Sequence, residues 1–231
     1  MCTSFVWRMA RKNVLVAMNF DYGNAFKLST TQSEFIILAG GVPCFGVNNN
    51  GTFINHLMVD SNGKGDFRRG KNVVHTIQLI RNMLGKGRKV IHDIDKYLSE
   101  VEIVNVPNNS CHNMVTDKHG NAWIVEPGRG IIHSPVTDSP YYLMTNFSLC
   151  DLKENGKFES NSDDRYKIAD KMLSKADNLD VDSAFEILNV VKQIGGEYPT
   201  VFSMVYSQED KTVYYCKNGN FLDIEKHNFN S

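Results

Sequence analysis

No stretch of this sequence is apolar for long enough to cross a bilayer, and its longest apolar run, Glu34–Gly40, has only the length of a strand. Nor does one charge prevail. The 25 Lys and Arg meet 26 Asp and Glu, interspersed, and leave a net charge of −1. A nucleic-acid surface would need a basic stripe, whereas the short Phe67–Lys71 patch (FRRGK) reads as a solvated loop. The opening lacks the apolar core of a secretory signal, because Arg8, Arg11 and Lys12 interrupt its apolar residues within a dozen positions. These absences argue against membrane and nucleic-acid partners and make a cytoplasmic protein the expectation.

Other absences narrow the chemistry. Cysteines stand at 2, 44, 111, 150 and 216, an odd count with no CxxC pair and no metal-ligand spacing, which argues against a disulfide framework and a thiolate metal site. Seven histidines show no HxH or HxxxH spacing, so no metal is expected. Cys111 and His112 are neighbours on one strand and point to opposite faces, which spoils them as a dyad. Glycines in Ser61–Gly70 match neither phosphate-loop pattern. No cofactor is expected, and a homo-oligomer is left open.

What is present is an ordinary globular composition, 42% hydrophobic and 22% charged. Thr3–Met9 and Val14–Asn19 alternate like strands around the polar turn Ala10–Asn13, so the chain opens with a hairpin. Phe35–Leu38 and Thr52–Met58 read as strands. Asn72–Leu84 carries Val73, Ile77, Ile80 and Leu84 at helical spacing, and Val90–Leu98 reads as a second helix. Strands resume at Glu102–Val106, His112–Thr116 and Ala122–Glu126, and Glu126–Gly130 reads as a turn. The polar stretch Asp151–Asp163 reads as a loop. Arg165–Ala176 and Val181–Ile194 are helical, the latter stopped by Gly195 and Gly196. Val201–Ser207 and Thr212–Lys217 form a closing hairpin. Strands, two helices, strands, two helices and strands suit an α+β protein of two antiparallel sheets packed face to face between helices, a four-layer αββα sandwich. From the pattern alone a two-layer α+β arrangement stays open.

Cys2 carries the candidate chemistry. Cysteine is small enough for an initiator methionine to be trimmed in front of it, leaving one residue with both a thiol and a free α-amine. An α-amine has a reference pKa of about 8, so near neutral pH it can take a proton from the thiol. The antiparallel return of the hairpin brings its end, Asn19-Phe20-Asp21, beside Cys2. A carboxylate there can hold and orient the amine, and a turn-starting Asp is the competing reading.

At this point the chain resembles the linear amide C–N hydrolases, the group of choloylglycine hydrolases, penicillin V acylases and the acyl-CoA:6-aminopenicillanic acid acyltransferase branch. The resemblance rests on Cys2-Thr3 and on Asn19-x-Asp21 closing the first hairpin. It continues through Gly46–Gly51 (GVNNNG) with Ile54-Asn55, Val115–Glu126 (VTDKHGNAWIVE), Thr145-Asn146, Asp164-Arg165 and Val201–Tyr206 (VFSMVY), in the family's order. It implies a single domain over residues 1–231 with the N-terminal-nucleophile (Ntn) hydrolase fold and with Met1 removed.

The resemblance also implies roles. Cys2 would attack a linear amide of a small N-acylated substrate and form a thioester, with Asp21 orienting its amine. Asn146 would donate to the oxyanion, a contact of a kind worth roughly 10²–10³ in rate. A backbone N–H near Asn55 would be the second donor, and Arg165 would favour a thiolate. Bile-salt-cleaving members carry Arg where this chain has Met18, which favours a relative of the acyltransferase branch. Met18, Phe20 and Phe53 would then wall an apolar acyl pocket. Transfer of the acyl group to another amine, and a non-catalytic binding relative, are the alternatives. A class II glutamine amidotransferase is disfavoured, because it would begin Cys-Gly-Ile.

Overall fold

The computed structural model describes residues 2–9, 13–85, 91–156 and 164–229. Met1, most of the turn expected at 10–13 and most of the loop expected at 151–163 lie outside the described residues.

The first sheet has six strands, each antiparallel to its neighbours. Its centre is β1 (Thr3–Met9) and β2 (Asn13–Asp21), with β14 (Thr200–Ser207) beside β2. β13 (Tyr141–Met144) flanks β1, while β15 (Thr212–Lys217) and β16 (Glu225–Asn228) complete the other edge. The second sheet runs β12-β11-β10-β6-β5-β4-β3. Its strands are β3 (Phe26–Thr30), β4 (Glu34–Ala39), β5 (Val42–Asn48), β6 (Phe53–Asn55), β10 (Cys111–Thr116), β11 (Ala122–Glu126) and β12 (Gly130–Ser134). A short β7 (Leu57–Met58) also pairs with β10.

Alternation along the strands sorts three apolar clusters. Val14, Val16, Met18 and Phe20 of β2 point inward and meet Phe35 and Ile37 of β4, Phe53 of β6 and Ile124 of β11 between the sheets. Phe5, Trp7, Leu15 and Ala17 point outward, onto α4 (Asp164–Leu173) and α5 (Val181–Val190). Ile36, Ile54, Val115 and Trp123 cover the outer face of the second sheet, under α1 (Thr76–Leu84) and α2 (Ile94–Glu100). Both faces of both sheets are thus buried, which is why strands such as Ala122–Glu126 are apolar almost throughout. Each large side chain buried in this way contributes about 1.5–3 kcal/mol. The result is the αββα sandwich expected from the sequence.

Several elements differ from the expectation. β5 hides behind Pro43 and Gly46. The glycine is required there, since a Cβ would lie 2.7 Å from the Phe35 carbonyl oxygen. The helix expected from Asn72 starts at Thr76, because β8 (Val73–His75) pairs in parallel with β9 (Glu102–Val104). The second helix starts at Ile94, where Asp93 accepts from the Lys96 N–H. The expected loop after Asp151 is partly helical: α3 spans Leu149–Asn155, capped by Ser148 and closed by Gly156 at φ 65°. α5 ends at Val190, before Gly195 and Gly196. The turn after Glu126 leads directly into β12, a strand the turn residues masked.

Candidate active site

The register of the opening hairpin places the site. Thr3 lies opposite Asn19 and Ser4 opposite Met18, so Cys2 comes to lie beside Phe20 and Asp21. The Asp21 N–H points to the Cys2 Sγ at 3.5 Å. Asn19, two residues back, ties the strand end to its helix, donating from Nδ2 to the Leu188 carbonyl at 2.8 Å. The first motif of the sequence is therefore one physical unit.

The Asp21 carboxylate is almost fully buried and, among the described residues, accepts from three side chains. Thr200 Oγ1 donates at 2.5 Å, Gln193 Nε2 at 2.8 Å and Arg165 Nη1 at 3.3 Å. Burial pushes its pKa up, opposed by these hydrogen bonds and by the Arg165 charge. Arg165 lies in the first turn of α4 and reaches across the site. Its Nη1 donates to the Cys2 carbonyl at 2.9 Å and to Thr3 Oγ1 at 3.3 Å, and its Nη2 donates to Asn146 Oδ1 at 3.3 Å. Asn146, just beyond β13, accepts from the Cys2 nitrogen through Oδ1 and donates from Nδ2 to the Met58 carbonyl at 2.7 Å. Cys2, Asp21, Asn146 and Arg165, which are far apart in sequence, form one connected network.

The thiol at its centre is not poised as a thiolate. Burial, and then the Asp21 charge, push Cys2 up to about 12, and Arg165 only partly opposes them. Arg165 acts in the expected direction, favouring the thiolate, but desolvation is the larger effect. A group in this state must lose its proton as it attacks, so a base has to be close by.

A cavity of about 630 Å³ opens at Cys2. Phe20 lines it, as expected, and stacks on Tyr22 at a ring-centroid distance of 5.3 Å. Met18 does not line it. One step further from the strand end, Met18 faces Ser4 and Met204 in adjoining strands and is fully buried between the sheets. Phe53 is likewise part of the inter-sheet core. Asn55 is also absent from the wall. Its Oδ1 accepts from the Met114 N–H at 2.8 Å, bridging to β10 where the ladder breaks between β6 and β7. The residue of that segment that meets Asn146 is Met58, three positions on.

Sequence reasoning passed over Met58, His56, Gln193 and Thr200. Thr200 directly precedes the VFSMVY motif and was the one of these within reach. A second hollow of about 480 Å³, lined in part by Tyr141, Tyr166 and Asp170, holds no cysteine. Among the described residues, no three His, Cys, Asp or Glu side chains gather to hold a metal ion. No helix among them is long and apolar enough to cross a membrane.

The two sheets and their order, with Cys2 at the start of a central strand, give the fold of the N-terminal-nucleophile hydrolases, and solved structures share it. The C2A mutant of conjugated bile acid hydrolase from Clostridium perfringens superposes with a TM-score of 0.72 at 16% identity, covering 100% of this chain and 93% of that one. Penicillin V acylase from Agrobacterium tumefaciens gives 0.68 at 16% identity, covering 97% and 84%. A Caenorhabditis elegans ortholog of N-acylethanolamine-hydrolyzing acid amidase gives 0.62 at 16%, covering 90% and 93%. No protein-family model and no curated protein matches the sequence.

Proposed function

We propose that this chain is an amidase of the N-terminal-nucleophile class, acting as a single domain over residues 1–231 once Met1 is removed, and that it cleaves a linear amide of an N-acylated small molecule. The observation that carries the reading is the network joining the Cys2 nitrogen, Asn146, Arg165 and Asp21 at the mouth of a largely apolar cavity. The named activities of the structural neighbours, bile acid conjugate, penicillin V and N-acylethanolamine hydrolysis, all break such a bond.

In this mechanism the α-amine of Cys2 accepts the thiol proton while Sγ bonds to the amide carbon. Such a base suits a thiol that burial keeps protonated. Asn146, with one amide proton engaged by Met58, has the other for the oxyanion. The tetrahedral intermediate expels the amine, which leaves with the proton held by the Cys2 ammonium. Water then adds to the thioester, the same amine taking its proton, and the carboxylic acid departs as the thiol re-forms. Asp21, fixed by Thr200, Gln193 and Arg165, orients the amine through both steps. An amine in place of water in the second step would make the reaction an acyl transfer.

The test is the intact mass of the purified protein after brief exposure to a thiol alkylator, with fragmentation to place the label. Loss of Met1 with labelling concentrated on Cys2, and turnover of N-acyl amides abolished by Cys2→Ala, are the expected results. Retained Met1 with Cys2 no more reactive than Cys44 would overturn the reading and favour a binding protein.

A further inference from the structure

Most polar side chains around the Cys2 cavity are accounted for. Asn24, Asn109 and Tyr198 are exposed at its rim, where Val42 and Met58 are exposed as well. Asp21 is withdrawn from solvent, but its oxygens are engaged by Thr200, Gln193 and Arg165. His56 is different. It follows β6, at the position that continues the β5–β6 register opposite Cys44, and it lines the cavity among Cys44, Ile77 and Cys111.

One ring nitrogen of His56, Nε2, lies 2.9 Å from Thr76 Oγ1, at the fully buried first residue of α1. That bond fixes the plane of the ring. The other nitrogen, Nδ1, makes no hydrogen bond among the described residues, yet it is not one of the buried polar atoms left without a partner. It is therefore open to the cavity. Burial, together with His112 and His75 nearby, holds the imidazole pKa down to about 4, so the ring is neutral at physiological pH.

We infer that His56 is a specificity residue for the acyl group: it hydrogen-bonds a neutral oxygen, a hydroxyl or carbonyl, carried on an otherwise apolar acyl chain. The inference rests on the amidase reading given above and names the substrate class within it. The pairing with Thr76 permits either kind of oxygen. The threonine hydroxyl can donate to Nε2 or accept from it, which leaves Nδ1 free to donate or to accept. A neutral ring in an apolar wall also disfavours a charged acyl chain, since neither a carboxylate nor an ammonium finds a counter-charge there. A plain hydrocarbon chain still fits, but leaves Nδ1 without water or partner, and an unmade buried hydrogen bond is what discriminates between otherwise similar substrates.

The experiment compares medium-chain acyl para-nitroanilides identical except for one hydroxyl placed at successive carbons, with wild type, His56→Leu and His56→Gln. Wild type is expected to favour one hydroxylated isomer over the plain chain by about 3–10-fold in kcat/KM, the worth of one neutral hydrogen bond. His56→Leu is expected to lose that ratio while still turning over the plain chain, which reports a folded enzyme. His56→Gln is expected to restore part of it. No preference for any isomer in wild type, or a preference that survives in His56→Leu, overturns the inference. If neither substrate is turned over, the amidase reading fails, and calorimetric binding of the same compounds to the Cys2→Ala protein decides the role of His56 separately. Equal affinities for hydroxylated and plain chains there overturn it as well.

Discussion

Replacing Glu126 with Gln tests how the loop that carries Asn146 is held. Glu126 ends β11 with its side chain fully buried, and its two oxygens have four partners. Oε1 lies 3.1 Å from His112 Nδ1 and accepts from the Leu149 N–H at 2.8 Å. Oε2 accepts from Ser148 Oγ at 2.5 Å and from the Cys150 N–H at 3.2 Å. The carboxylate thus sits on the first N–H groups of α3, three residues beyond Asn146, where an anion also complements the helix dipole. Burial alone would raise its pKa, but the hydrogen bond and charge of His112, with Ser148 and Leu149, outweigh it and bring the group from 4.5 to about 2.

The sign of the pH effect follows from that displacement. A carboxyl whose folded pKa is depressed contributes stability that is complete above its unfolded pKa and is lost as pH falls through its folded one. Here the difference is worth about 3 kcal/mol near neutral pH, in line with the cost of removing one partner of a buried pair. About 2 kcal/mol of it is gone at pH ~3. Glu126→Gln keeps the shape but turns an NH₂ toward donors. Urea unfolding of both proteins should show a gap of about 3 kcal/mol at pH ~7 that narrows to about 1 at pH ~3. A gap that is the same at both pH values would refute the claim that the charge, rather than the shape, of Glu126 holds the start of α3.

Three further outcomes follow from the same structure. Thr200→Val removes the 2.5 Å hydrogen bond to Asp21, so the Asp21 pKa rises and the acid limb of the kcat/KM profile should move to higher pH; an unmoved limb would detach Asp21 from the reaction. Arg8 is fully buried and donates to the carbonyls of Ser139 at 2.9 Å, Gly120 at 2.8 Å and Ser134 at 2.6 Å. Arg8→Met should cost about 3 kcal/mol in chemical denaturation by orphaning these acceptors, and a loss below about 1 kcal/mol would mean water replaces the guanidinium. Gly46→Ala would press a Cβ to 2.7 Å from the Phe35 carbonyl oxygen and 2.9 Å from Leu84 Cδ1, and should cost about 2 kcal/mol in thermal unfolding, with no cost if β4 and β5 can part.

The elements that the sequence made legible are those whose alternation is local. Ala122–Glu126 and Thr212–Lys217 were read at their observed ends, because their neighbours in the sheet are also their neighbours in the chain. What stayed hidden depends on partners far away. Val73–His75 carry apolar residues compatible with a helix, and only the parallel pairing with Glu102–Val104 makes them a strand. Val42–Asn48 holds a proline and a glycine that speak for a turn. They are tolerated because Gly46 lies against the Phe35 carbonyl, where a side chain would clash. The helix Leu149–Asn155 sits in a polar stretch with little apolar periodicity, and what anchors it is the buried carboxylate of Glu126, more than twenty residues earlier in the chain.

The site divides along the same line. Cys2 and Asp21 could be placed together from the sequence because the register of a single hairpin does it. The alternation of β2 puts Met18 and Phe20 on one face, but only the strand end opens into the cavity, and where a strand stops being covered is a tertiary fact. Asn55, near which the second oxyanion donor is expected, has a structural task that no motif announces: the interruption between β6 and β7 leaves the Met114 N–H in need of the acceptor that its side chain provides. Met58 can then reach Asn146 because that same interruption turns the chain, and a residue that bonds Asn146 through its backbone carbonyl carries no signal in its side chain. Arg165 binds these pieces together: one guanidinium takes the Cys2 carbonyl, Thr3, Asp21 and Asn146, an arrangement that needs its fixed fork of donors and that a lysine, with a single point of charge, would not reproduce.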